Sequence, residues 1–250
     1  MNDLKSEYKK EMLVLPIILV IIWYIVCDVF QMVPGYMFPG PVDVANSFVK
    51  LIVSGQLFRD ILDTLYKVLF GMLLASVVGI TLGIVLGWFK RLETLCRLVI
   101  SILRPIPPIA WIPFSIIWFG IGLGPAVFII FMGCVFPILI STIDGVHRTD
   151  SVLIEAAQSF GASNAQMLTE VILPSSLPHI VSGLKVAIGI ALMCTISGEM
   201  IASSSGIGYM ILTSTNLFDT GSTVVGMLVI GIIGIIFDYI FTKVQERIFW

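Results

Sequence analysis

The stretch PIPPIAWIPFSIIWFGIGLGPAVFIIFMGCVFPILISTI, residues 105–143, decides how this chain is read. It runs 39 residues without a charged side chain. A helix needs about 20 mostly apolar residues to cross a bilayer, so the run is too long for one span. Gly120-Ile-Gly-Leu-Gly-Pro125 breaks it near the middle, which predicts two spans joined by a tight turn. The remaining apolar runs lie on either side. Met12 to about Val33 gives span one and Val68–Phe89 span two. Residues 105–143 give spans three and four, about Ser182 to Ile201 span five, and about Thr223 to Phe241 span six. The runs are continuous rather than alternating, which argues against a β-barrel. Pro113 and Pro137 lie within spans three and four and predict kinks.

Composition agrees. Of 250 residues, 58% are hydrophobic and 12% charged, against about 25% charged in a soluble domain; mean hydropathy is +1.05. That excludes a soluble globular enzyme, a secreted disulfide scaffold and a disordered chain. A net charge of −2 gives no case for a nucleic-acid partner. Cys27, Cys96, Cys134 and Cys194 are widely separated, form no CxxC pair, and read as small apolar side chains. The first apolar run continues past signal-peptide length without an A-x-A site, so no cleavable leader is expected.

Lys and Arg set the orientation. With six spans, 11 fall on the side of the termini and 3 (Lys50, Arg59, Lys67) on the other. The fold class expected is therefore an all-α integral membrane protein with six transmembrane helices and cytoplasmic N- and C-termini. Residues 1–11 form a cytoplasmic N-terminal segment and 12–250 a single six-helix transmembrane domain. In span two, Gly71, Ala75, Gly79, Gly83 and Gly87 recur every four residues. Such a stripe lets another backbone approach closely and reads as helix packing. Gly183, Ala187 and Ala191 repeat the spacing in span five.

The cytoplasmic segment between helices 4 and 5, residues 144–182, is the longest loop and is neither basic nor disordered in composition. Asp150 or Ser151 caps a short helix through Phe160, and Gly161 stops it. Ser163 and Gln166 form a capping box for a second short helix, which Pro174 ends. Met167, Leu168, Val171 and Ile172 make one side of it apolar. Two short helices with a glycine corner suit either a docking element for a cytoplasmic partner or a plain connector.

Here the sequence resembles a known family. Glu155-Ala156-Ala157, three residues, Gly161, nine residues, then Val171-Ile172-Leu173-Pro174 resembles the EAA motif of ATP-binding-cassette importer permeases, with Val171 at a position where that motif has Ile. Arg104-Pro-Ile-Pro-Pro-Ile-Ala-Trp-Ile-Pro113, Trp118-Phe-Gly120, Phe38-Pro-Gly-Pro41, Phe136-Pro137, Gly198-Glu199-Met200 and Gly206-Ile-Gly208 are similar to the branch serving nitrate, sulfonate and taurine uptake, which also includes transporters of pyrimidine vitamin precursors. The resemblance implies a permease subunit of a type I importer in a bacterial cytoplasmic (inner) membrane. Its partners would be a second permease copy, a cytoplasmic ATPase dimer carrying ATP-Mg, and an extracytoplasmic binding protein. Glu155, Ala156, Ala157, Gly161, Val171, Leu173 and Pro174 would form the ATPase-coupling loop.

The rest of the sequence is compatible with that. It has no G-x-x-x-x-G-K-[ST] loop, no metal-ligand partner for His147 or His179, and no accessible catalytic arrangement. No enzyme activity and no cofactor are expected in this chain. Glu199 lies about 17 residues into span five, or about 26 Å at 1.5 Å per residue. It reads either as an outer-gate residue or as an interfacial carboxylate holding Ser203-Ser204-Ser205. Thr195 and Ser197 add hydroxyls as pore candidates. Asp28 and Asp238 read as interfacial. No Lys or Arg is expected deep in a span. The alternative class is a secondary transporter driven by an ion gradient, against which stand the lack of an internal repeat and of a deep ionisable pair.

Overall fold

The computed structural model describes residues 14–248. The expected N-terminal segment 1–11 and the start of span one at Met12 lie outside the described residues. The described chain is helical throughout: α1 (Val14–Val29), α2 (Pro41–Val53), α3 (Gln56–Trp88), α4 (Lys90–Leu103), α5 (Ile112–Phe119), α6 (Leu123–His147), α7 (Ser151–Ser159), α8 (Asn164–Ala202), α9 (Ile207–Asn216) and α10 (Thr220–Ile248). Four of these, α3, α6, α8 and α10, are long and apolar enough to cross a bilayer, and α4 with the helical turn and helix at Pro108–Phe119 makes a fifth if that bent pair is one span.

The chain forms two compact units. One comprises residues up to Ile61 and Met210–Val229. In it, Trp23 Nε1 donates to the Pro39 carbonyl at 3.0 Å, and Thr220 Oγ1 donates to the Gly35 carbonyl at 2.7 Å. The second unit, Leu62–Tyr209 with Ile230–Trp250, holds the features that matter for function.

At the centre of the second unit is α6. Its Ala126, Ile129, Ile130, Cys134 and Ile138 are fully buried. The glycine stripe of α3 lies along it in matching steps. A Cβ at Gly71 would meet Ile130 at 2.6 Å, at Gly79 Ile138 at 3.0 Å, at Gly83 Thr142 at 2.5 Å and at Gly87 Val146 at 2.7 Å; Ala75, within the same stripe, is fully buried. Both numbers rise together, so α3 and α6 run parallel. On another face of α6, α8 runs antiparallel. Gly145 faces Ser176 and His179, Gly183 faces Ser141, Gly133 faces Cys194, and Gly198 faces Ala126; the Cys134 thiol donates to the Ala187 carbonyl at 3.3 Å.

Two parallel neighbours joined in sequence need a return crossing, and α4 with α5 provides it. Cys96 and Ile100 of α4 pack on Leu139 and Ile143, Glu93 reaches His147, Pro108 lies at Gly133, Trp111 meets Phe128, and Phe119 abuts Gly124. The pair thus follows α6 from end to end in the opposite direction, bent by 87°.

Three expectations need correction. The helix of span two begins at Gln56, so Lys67 lies inside it, with 2% of its surface exposed. Span three is not one straight helix. Pro105, Pro107 and Pro108 remove three of the four backbone donors at 105–108, leaving a 3₁₀ turn at Pro108–Trp111 and an eight-residue helix; Pro113 sits in the first turn of α5, where proline is tolerated, and makes no kink. The second loop helix does not stop at Pro174. Met167–Ile172 adopts a π-helical turn just before it, a wider repeat found where the α-helical bonding pattern is interrupted, and the helix continues through Pro178 to Ala202.

Candidate functional site

The two ends of α6 are built differently. At its C-terminal end, Asp150 caps α7 by accepting the Val152 N–H at 2.9 Å. The helix closes with Gly161 at φ +79°. The Gly161 N–H donates to the Gln158 carbonyl at 2.9 Å, and the Ala162 N–H to the Ala157 carbonyl at 3.0 Å, the paired bonds of a Schellman ending. Ser163 follows at once. It accepts the Gln166 N–H while its own N–H donates to Gln166 Oε1, a complete capping box. Two caps back to back leave one tight corner at residues 160–163.

The motif residues divide between two faces there. Ala157 and Val171 turn inward with Ile154 and Leu168, packing on the buried Val146, Met167 and Ile172, against which Ile84 and Trp88 of α3 also pack. Glu155, Ala156, Gly161 and Pro174 are exposed, and Leu173 is half-buried. Beside Glu155 and Ala156, the outer face of α7 carries Val152, Leu153 and Phe160, the last 93% exposed. Val152, Ala156 and Phe160 follow at steps of four, one helical face.

At the N-terminal end of α6 the side chains close on one another. Glu199 of α8 is completely buried. Its carboxylate accepts from Lys67 Nζ at 3.1 Å, from Thr64 Oγ1 at 2.9 Å and from the Gly208 N–H at 2.8 Å. Lys67 Nζ also donates to Asp63 Oδ2 at 2.6 Å, Ser203 Oγ at 3.0 Å and the Ser205 carbonyl at 2.7 Å. Thr64 Oγ1 accepts the Ile207 N–H at 2.9 Å. The first two amide donors of α9 are thereby met by side chains from α3 and α8, as helix N-termini require. Lys67 and Glu199 thus form a buried ion pair that the sequence reading did not anticipate; it lies at the end of both spans, one residue before the uncharged run of α3 and three residues before α8 ends at Ala202. Sequence reading passed over Asp63, Thr64 and Lys67. The available signal was their spacing of one and three, which puts three polar groups on one side of the helix just before its uncharged run Val68–Trp88 begins.

The hydroxyls expected near a pore return to their own helix. Thr195, fully buried, donates to the Ala191 carbonyl at 2.7 Å, and half-buried Ser197 to the Met193 carbonyl at 3.1 Å. Asp238 pairs with Lys185 at 3.5 Å, partly exposed. Among the described residues no three His, Cys, Asp or Glu side chains are grouped to hold a metal.

With this geometry in view, the comparisons with known proteins are specific. Residues 75–250 match the family described as binding-protein-dependent transport system inner membrane component. A putative ABC transporter permease protein of Methanocaldococcus jannaschii is 40% identical over 205 residues, covering 82% of this chain and 77% of that one. A putative aliphatic sulfonates transport permease protein of Bacillus subtilis is 32% identical over 235 residues, covering 94% and 84%. The solved inward-facing MetNI methionine ABC transporter superimposes with a TM-score of 0.70 at 20% identity, over 78% of this chain and 97% of that one, a likeness of fold. The chain belongs to the family of binding-protein-dependent transport permeases, the membrane components of ABC importers. It is a multi-pass membrane protein.

Proposed function

We propose that this chain is the pathway-forming subunit of an ATP-driven importer for a small solute of the sulfonate, taurine, nitrate or pyrimidine-precursor kind, delivered by an external binding protein. The observation that carries the proposal is the outer face of α7. Val152, Glu155, Ala156 and Phe160 stand exposed on a helix fixed from behind by Ile154 and Ala157. An apolar helical face held rigid and presented to solvent suits insertion into a groove on a partner. The partner would be one half of a cytoplasmic ATPase dimer, with a second copy of the permease on the other half, in a bacterial inner membrane. ATP-driven closure of that dimer would draw the two α7 corners together and turn the helices above.

In this arrangement α1, α3, the bent α4–α5 pair, α6, α8 and α10 are the six spans of one permease domain, with both termini and residues 144–182 cytoplasmic. The 11-to-3 division of Lys and Arg supports that side. Glu155, Ala156, Ala157, Gly161, Val171, Leu173 and Pro174 form the coupling element. The Glu199 cluster, with Thr195 about one turn and Ser197 two residues before it on the same helix, lies toward the outer gate. The match to an aliphatic sulfonate permease supports an oxyanion solute.

Two substitutions test coupling. Glu155→Lys reverses the charge on the docking face, and Gly161→Pro forces a negative φ on a corner that needs +79°. Both variants should insert at near-normal levels, lose at least about 90% of ATP-dependent uptake in vesicles reconstituted with the ATPase and binding protein, and release the ATPase on purification. Uptake by the parent chain with no ATPase and an imposed ion gradient would overturn the proposal in favour of a secondary transporter.

A further inference from the structure

Below Trp88, where the uncharged run of α3 ends, a cavity of about 610 Å³ opens between α3, α4, the end of α6 and the root of α7. Lys90, Glu93, Thr94 and Arg97 of α4 line one side of it, at the i, i+3, i+4, i+7 positions of one helical face. The opposite wall includes Thr149, 8% exposed, whose hydroxyl is buried with no hydrogen-bond partner among the described residues. A buried hydroxyl left without a partner carries an uncompensated desolvation cost and marks a place where a ligand group supplies the missing bond. The Glu93 carboxylate is offset by Arg97 at 3.2 Å and lies 3.3 Å from His147 Nε2. Arg97 uses a single N–H for that contact, and exposed Lys90 has no ion-pair partner among the described residues. The free donors thus outnumber the acceptors.

The next face of α4 is apolar and uncovered. Leu92, Leu95, Leu98 and Val99 are 42%, 74%, 69% and 55% exposed. The helix therefore joins a cationic pocket to a hydrocarbon strip at the level where an apolar span gives way to Lys90 and Arg91. Trp88 marks the same level, as aromatic side chains do at a bilayer surface. A ligand with a phosphate anion at one end and acyl chains at the other fits both halves.

We propose that this cavity binds the phosphodiester headgroup of an acidic phospholipid, with Lys90, Arg97 and the Thr149 hydroxyl as its donors and the Leu92–Val99 strip along its chains. The pocket floor includes Ile154 and Ile172, which belong to the apolar cluster that fixes α7 from behind. An occupied pocket therefore braces the coupling element from the membrane side.

The test uses the full-length permease alone, so its outcome is independent of whether α7 grips an ATPase. Retained lipid is measured by native mass spectrometry after exchange into mixed micelles of phosphatidylglycerol and phosphatidylcholine. The parent should keep one phosphatidylglycerol in preference to phosphatidylcholine. Lys90→Ala with Arg97→Ala should weaken that retention about 30-fold, the loss expected for two cations at an anionic surface. Thr149→Val, nearly isosteric, should weaken it about threefold to tenfold while leaving circular dichroism and elution volume unchanged. The charge-matched pair Lys243→Ala with Arg247→Ala, on α10 and outside the pocket wall, should keep it. Equal loss in the two double variants would reduce the effect to diffuse surface charge and overturn the site. Displacement of the lipid by millimolar inorganic phosphate, with phosphate retained in its place, would overturn the lipid assignment. Equal retention of both lipids by the parent would overturn both.

Discussion

The two ends of α6 solve opposite problems with the same kinds of residue. At the N-terminal end, two carboxylates, one ammonium, three hydroxyls and two backbone N–H groups are folded in on one another, with Lys67 and Glu199 shut off from solvent. At the C-terminal end the polar groups are spent on helix caps, and apolar side chains such as Phe160 and Val152 are turned outward. Polar groups gathered inward tie α3, α8 and the Ile207–Gly208 backbone into one arrangement. Apolar groups presented outward offer a surface. The difference shows that burial, not residue type, separates the part that holds itself together from the part that meets something else.

The strongest way to break this contrast is to unpair the closed end. Lys67→Met leaves Glu199 buried with its cation gone, and such a loss costs about 3–5 kcal/mol. Glu199→Gln keeps the shape and still removes the charge, with a similar though smaller cost. Both should lower the unfolding temperature of the detergent-solubilised protein. Lys67→Met together with Glu199→Met removes both charges and should recover most of that loss. A double variant as unstable as the sum of Lys67→Met and Glu199→Met measured singly would mean that the hydrogen bonds to Thr64 and Gly208, not the ion pair, hold the cluster.

Next in size is the seam joining the two ends. Gly83→Leu places a side chain where even a Cβ would come within 2.5 Å of Thr142 and 3.0 Å of the Leu139 carbonyl. Backbone cannot yield as a side-chain tip can, so α3 and α6 must separate, at a cost of about 1–3 kcal/mol or more. Reduced thermal stability and reduced uptake should appear together. Normal values for both would show that the two helices are not held at this distance in the bilayer.

How much of this could be read beforehand follows from the range of the interactions. The caps at Asp150, Ser163 and Gly161 depend on neighbours within five residues, and their pattern was legible in the sequence. The spacing of the α3 glycines was legible as well, because a stripe is a property of one helix. Its partner was not, since nothing in residues 71–87 names Ile130 or Thr142. Lys67 shows the same limit more sharply. It stands one residue before an uncharged run and reads as the last loop cation, yet its partner Glu199 is 132 positions away. The break at Pro105–Pro108 was misread for a different reason. Hydropathy counts apolar length, and the missing proline donors that bend the pair by 87° are invisible to it.

The smallest expected effect sharpens the open end. Ser163 serves two roles at the corner, accepting the Gln166 N–H and positioning the backbone N–H that donates to Gln166 Oε1 at 2.9 Å. Ser163→Ala removes the first and weakens the second, and a lost N-cap costs about 1 kcal/mol. Residues 164–166 are exposed while Met167 and Ile172 are buried, so the loss should stay local, fraying the first turn of α8 without moving the cluster behind α7. Hydrogen exchange should rise about fivefold at the amides of residues 164–167, the factor that 1 kcal/mol gives in a local opening equilibrium, and stay unchanged at residues 180–202. Exchange rising along the whole of α8 would mean that the corner and the span open as one unit, and that the contrast between a closed and an open end fails at the point where they share a helix.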